Sequence, residues 1–250
     1  MVNELKEALL ASFIASCFTG IGAIPVLVSE KVSHKVYDTL LGFSAGIMIA
    51  TACFNLISPA TRIGSLGQAI TGIISAALFL FLVEKSIPHL HNWYPHFKDK
   101  PMHIKMKSAI LMAVAITMHN LPEGLSVGVG YVASPKLGLV LAVAIALQNM
   151  PEGLVVAAPL RQAGVSRLKC LGIATLSGIA EPIAAFFGIM LFGFSKSILP
   201  FGLAFAGGAM LYVTFDEIIP ECHSHGNEIA ATFSAIAGFI TLLLLNAVIG

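Results

Sequence analysis

Residues 119–153 read HNLPEGLSVGVGYVASPKLGLVLAVAIALQNMPEG. His119-Asn120-Leu121-Pro122-Glu123-Gly124-Leu125 returns 29 residues later as Gln148-Asn149-Met150-Pro151-Glu152-Gly153-Leu154, each copy in the middle of a long apolar run. On a helix, residues four apart share a face, so His119 stands over Glu123 and Gln148 over Glu152, with Asn120 and Asn149 beside them. Each copy presents a small cluster of nitrogen and oxygen donors. Pro122 and Pro151 lack a backbone N–H, which leaves the carbonyls of Met118 and Leu147 without helical partners and predicts a kink in each helix. Such irregular backbone survives in an apolar medium where a cavity or ligand uses the freed oxygens.

The medium follows from composition. A chain of 250 residues that is 57% hydrophobic and 11% charged, with mean hydropathy +0.89, belongs in a bilayer. A span needs about 20 apolar residues, and the sequence predicts an all-α integral membrane protein with eight: roughly 5–28, 37–56, 67–84, 107–131, 138–159, 169–193, 199–219 and 228–249. Together they form a single polytopic membrane domain over residues 1–250. The leader MVNELKEA lacks a basic region, so the first span is expected to remain in the mature protein.

Cys17, Cys53, Cys170 and Cys222 are scattered without paired spacing, which indicates neither a disulfide framework nor a thiolate metal site. A net charge of +1 and the lack of a basic cluster beyond the loops give no footing for nucleic acid. Ten of the 14 basic residues (Lys31, Lys35, Lys85, Lys98, Lys100, Lys105, Lys107, Arg161, Arg167 and Lys169) fall on one side of the eight spans. Lys6, Arg62, Lys136 and Lys196 fall on the other. The positive-inside rule then places both termini outside and the connection at about 85–106 in the cytoplasm. That loop carries His89, His91, His96 and His103, a composition compatible with weak metal binding or with simple solvation.

Further polar groups lie at mid-span. Met48 and Asn55 are on the second span, and Glu181 sits beside Pro182 in the sixth. A charged carboxylate at the centre of a membrane helix costs about 2.5–3.5 kcal/mol, so Glu123, Glu152 and Glu181 call for a cation or protons to meet them. The seventh span closes on Asp216, Glu217 and Glu221, followed by Cys222, His223 and His225, which reads either as a cation exit or as an ordinary helix end at the interface.

An internal repeat connects these pieces. Shifted by 161 residues, Ala45-Gly46 falls on Ala206-Gly207, Asn55 on Asp216 and Pro59 on Pro220. Thr19-Gly20-Ile21 before Pro25 echoes Ser177-Gly178-Ile179 before Pro182 with a slip of one. Spans one to three and six to eight thus form an inverted repeat around the related pair four and five, the pattern of a transporter. Met48, His119, Gln148 and Glu181 come close to their helix midpoints and can meet there. Imidazole, carboxylate and amide oxygen suit a divalent cation of the zinc type, with carboxylates able to bridge a second ion.

The paired phrases, with Ala180-Glu181-Pro182 and the ending Asp216-Glu217-x-x-Pro220-Glu221, closely resemble the ZIP family of divalent metal transporters (zinc and iron permeases), nearest to its GufA-like bacterial branch. The resemblance covers all eight spans. It implies import of zinc, or of iron, manganese or cadmium, into the cytoplasm of a bacterial cell across its inner membrane, by elevator-like alternating access against a dimerising scaffold. It further implies Met48, His119, Glu123, Gln148, Glu152 and Glu181 around a first ion and Asn120, Glu123, Asn149, Glu152 and Glu181 around a second. Many relatives have His where this chain has Gln148, and some have Asp where it has Asn149. On this reading Asn55, Asp216, Glu217, Glu221, His223 and His225 belong to the transport pathway, and the metal is cargo with no separate cofactor. A metal-selective channel or a metal-sensing receptor could use the same ligands. An intramembrane enzyme is disfavoured, because the phrase of two histidines around a glutamate is missing and no serine–histidine arrangement occurs.

Overall fold

The computed structural model describes residues 2–29, 32–86 and 101–249. His89, His91 and His96 lie outside the described residues, as do the side chain of His103 and most of the 85–106 loop. Every extended element among the described residues is helical. Among the described residues, eight helices are long and apolar enough to cross a membrane: Asn3–Leu27, His34–Ile63, Leu66–Lys85, Ser108–Ala133, Pro135–Gln162, Arg167–Phe192, Leu199–Cys222 and Glu228–Ile249. They match the eight predicted spans, with one notable extension. The second runs seven residues past its predicted end, because Asn55 and Pro59 are absorbed into the helix instead of ending it.

Local chemistry sets several of the ends. Ser33 caps the second span by accepting from the Val36 amide at 3.3 Å. Ser134 does the same for the fifth through Leu137, ahead of Pro135 at the first turn, where the missing N–H costs nothing. Gly164 takes φ +87° in the turn after the fifth span, a left-handed conformation that suits glycine.

The expected kinks at Pro122 and Pro151 do not interrupt their helices, which run unbroken through both prolines. The irregular backbone sits elsewhere. A π-helical segment covers Thr51–Ile57 ahead of Pro59, and another covers Thr214–Ile218 ahead of Pro220. A proline ring clashes with the carbonyl four residues earlier, here Asn55 or Asp216, and a widened turn relieves that clash. The two segments end at Ile57 and Ile218, the same 161-residue offset found in the sequence. The sixth span breaks at Ile179, just before Glu181.

Packing follows the inverted repeat. The second span packs along the eighth and the seventh along the third; the first packs along the fifth and the fourth along the sixth. Exchanging spans one to three with six to eight, and four with five, converts each of these contacts into its counterpart. Spans one, four, five and six form one tightly associated block, with the two remaining pairs against it. The fifth span is the most buried, whereas the third and eighth are the least.

The two glycines of the repeated phrase set how closely this block packs. A Cβ on Gly124 would overlap the backbone of Glu181, and one on Gly153 would overlap the carbonyl of Thr19. Each phrase is thereby pressed backbone to backbone against the broken sixth span or the first, the small-residue contact that membrane helices favour. We expect Gly124→Ala and Gly153→Ala each to destabilise the protein by about 1–3 kcal/mol, the usual range for overpacking. Gly172→Ala, inside a helix where nothing lies within 4 Å of an added Cβ, should keep the melting temperature at or above the parent value. Thermal unfolding monitored by size-exclusion fluorescence separates these outcomes.

Candidate metal site

The fourth and fifth spans carry the two phrases, the sixth brings Glu181 just after its break, and the second brings Met48. Met48, His119, Asn120, Glu123, Gln148, Asn149, Glu152 and Glu181 are all buried, none more than 1% exposed. Two direct bonds join members of the set across spans, Gln148 with Glu123 and Asn149 with Glu181. The Gln148 amide donates to Glu123 Oε1. Asn149 Nδ2 donates to Glu181 Oε1 at 2.7 Å and to the Ala15 carbonyl of the first span at 2.9 Å. Asn120 Nδ2 donates to the Ser177 carbonyl at 2.8 Å, close to the break of the sixth span.

These bonds leave a consistent remainder. His119 Nε2, Asn120 Oδ1, Glu123 Oε2, Gln148 Oε1, Asn149 Oδ1, Glu152 Oε2 and Glu181 Oε2 are buried atoms with no hydrogen-bond partner. The six oxygens are acceptors. His119 Nδ1 lies 2.8 Å from the Ala115 carbonyl, and donation of its hydrogen there leaves the lone pair on Nε2. Each unpartnered buried polar group costs about 1–3 kcal/mol, a cost that a cation or a hydrogen-bond donor among these seven would offset. Among the described residues, however, no three His, Cys, Asp or Glu side chains close around a single point. The amide donors on Glu123 and Glu181 hold these carboxylates as individual hydrogen-bonded pairs.

Met48 is attached less directly. Its sulfur lies 3.7 Å from the Thr214 hydroxyl on the seventh span, and it follows Ser44 by one helical turn. Ser44 itself donates to Glu152 Oε1 at 2.6 Å. Nothing in the sequence marked Ser44 or Thr214, since small hydroxyl residues in an apolar helix carry no signal of their partner.

The residues expected along a pathway divide into three groups. Asp216, Glu217 and Glu221 line a cavity of about 470 Å³ that reaches His119 and opens at the end of the bundle holding Ser108 and Ser224. Glu217 Oε2 lies 3.3 Å from His119 Nδ1, linking cavity wall and cluster directly. Asn55 lines a smaller cavity of about 270 Å³ with Ser134, Lys136 and Asn246, at the end bearing both termini, and that cavity contains none of the eight candidate ligands. There Asn55 and Asn246 donate reciprocally to each other at 2.9 Å. His223 and His225 line neither cavity. His223 contacts the Ile219 carbonyl and Thr232, and His225 contacts the fully buried Asp38 at 2.9 Å while stacking on His34. Asp38 also accepts from Asn227 at 2.8 Å, so these groups fasten the 223–227 turn to the start of the second span.

Comparison with known proteins fits this arrangement. The family model described as ZIP zinc transporter matches residues 96–246. The chain is 40% identical to the zinc transporter GufA of Myxococcus xanthus, over 98% of this chain and 100% of that protein. It is 35% identical to the zinc transporter ZupT of Chlorobium chlorochromatii, over 98% of each. Against the zinc transporter ZIPB of Bordetella bronchiseptica it is 33% identical, over 97% of this chain and 81% of the other. With both paired phrases inside the matched region and the alignments running nearly end to end, the chain belongs to the ZIP zinc transporter family.

Proposed function

We propose that this protein carries zinc across a membrane by alternating access, with the buried cluster on spans two, four, five and six as its cargo site. The observation that carries the reading is the set of seven unpartnered acceptor atoms at mid-membrane, contributed by two histidine-or-glutamine positions, two asparagines and three glutamates. Nitrogen and carboxylate oxygen are the donors zinc favours in proteins. The glutamates can serve one ion or bridge two, and iron, manganese and cadmium are further cargoes that such donors admit.

The two cavities support a carrier. One connects the cluster to one end of the bundle, while the other stops at the Asn55–Asn246 pair. A continuous pore would join both. With the positive-inside assignment, the wide acidic cavity faces the cytoplasm, both termini lie outside and the conformation is inward-facing. Movement of the block of spans one, four, five and six against the other two pairs, held in a homodimer, would expose the cluster on the opposite side. Zinc uptake by the purified chain in liposomes tests this: saturable uptake with counterflow is expected, and conductance near diffusion rates would replace the carrier with a channel.

If the three carboxylates jointly neutralise the ion, Glu123→Ala, Glu152→Ala and Glu181→Ala should each lower uptake by more than about tenfold, since even groups that only orient a ligand are worth that much. Each variant should still insert and elute as folded protein. Wild-type uptake in all three would remove the cluster from consideration.

Protons should compete with cargo. A ligand must be deprotonated to bind, so metal binding releases protons and weakens as pH falls. The zinc dissociation constant is expected to rise as pH drops from about 7 to about 5, the range in which histidine and carboxylate ligands begin to take up protons. A constant value across that window contradicts the ligand set.

The mouths can be assigned separately. In a background lacking Cys17, Cys53, Cys170 and Cys222, a cysteine replacing Asn55 should react with an impermeant thiol reagent from outside only, and one replacing Asp216 from inside only. Reaction of both from one face refutes the topology.

A further inference from the structure

We propose that Ser44 is a positioning residue of the cargo site, fixing which oxygen of Glu152 is turned toward the ion. The inference rests on the transport reading above. Ser44 is fully buried on the second span, and its hydroxyl donates to Glu152 Oε1 at 2.6 Å. The other oxygen, Oε2, is the unpartnered one. Ser44 Oγ also lies 3.4 Å from the Gln148 carbonyl, so it seats itself against the fifth span at both corners of the turn that carries Glu152.

Serine and threonine inside a helix commonly return the hydroxyl hydrogen to a carbonyl of their own preceding turn. Thr39 does so to Lys35 and Thr117 to Ala113. Ser44 instead spends its single donor on another span. The three carboxylates are then held by one device repeated three times: a neutral donor on one oxygen and nothing on the other. Gln148 does this for Glu123 and Asn149 does it for Glu181. Both belong to the repeated phrase. For Glu152 the donor comes from outside that phrase, from the span that also presents Met48.

The physical effect is orientation. The last torsion of a glutamate side chain is broad, so an untethered carboxylate samples a wide range of angles. A donor fixed on a packed helix selects one of them, and such partners of metal ligands are typically worth about 10–100-fold in affinity. Ser44 and Met48, one turn apart, thus give the second span two polar contacts: a sulfur that meets the Thr214 hydroxyl and a hydroxyl that aims a carboxylate.

The test uses the full chain purified in detergent and in liposomes, with zinc as the probe. Calorimetry should show S44A binding zinc about tenfold more weakly or worse, with S44T retaining most of the affinity because it keeps the hydroxyl. S16A, which removes a buried hydroxyl bonded only to its own helix at Phe13, should bind as the parent does. In uptake, S44A should raise KM more than it lowers turnover, and S44T should return KM toward the parent value. Parent-like zinc affinity in S44A overturns the role, as does S44T binding no better than S44A. A parent chain that binds no zinc overturns the transport reading, and the role of Ser44 with it.

Discussion

In the middle of a bilayer there is no water to complete a hydrogen bond, so every polar atom placed there is either paired within the protein or held open for a ligand. The cluster between spans two, four, five and six contains both kinds, arranged in alternation. One oxygen of each central glutamate is engaged by Gln148, Ser44 or Asn149, and its second oxygen is not. Around this centre the fold can be understood as the framework needed to keep such atoms dry and in register. Gly124 and Gly153 let the phrase-bearing helices touch the sixth and first spans at backbone distance. The asparagines then reach carbonyls of those same spans, at Ser177 and Ala15.

The inverted repeat gives this framework two related ends that differ in chemistry. The π-helical turns ahead of Pro59 and Pro220 are backbone counterparts, yet one displays Asn55 and the other Asp216. Asn55 satisfies itself against Asn246 of the eighth span. Asp216 is exposed in a cavity with Glu217 and Glu221. Two amides can close on each other with donors and acceptors matched, whereas neighbouring carboxylates repel and keep their cavity hydrated or cation-filled.

Much of this was legible in the sequence, because polar residues at the centre of apolar runs have few reasons to be there. The spans, the repeat offset and the burial of all eight candidate ligands followed from that rule. What the sequence did not show has physical causes. Pro122 and Pro151 stay inside continuous helices, whereas Pro59 and Pro220 each follow a π-helical turn that the sequence did not announce. The contacts of His223 with Thr232 and of His225 with Asp38 were not legible, because the turn at 223–227 sets them. Ser44, Asp38 and Asn246 escaped notice because each takes its meaning from a partner more than 100 residues away.

The donors that hold the three glutamates are all uncharged: an amide, a hydroxyl and a second amide. Among the described residues no lysine or arginine acts on them, so the charge of the site changes with what it carries. In the proposed cycle a loaded site differs from an empty one by the two positive charges of its cargo, and each proton taken up on the return journey reduces the net charge moved per turnover by one. Moving a unit charge through a potential of 100 mV is worth about 2.3 kcal/mol. Because a resident charge would cross the field once in each direction, it is the cargo and the returning protons alone that make the membrane voltage a term in the direction of the cycle.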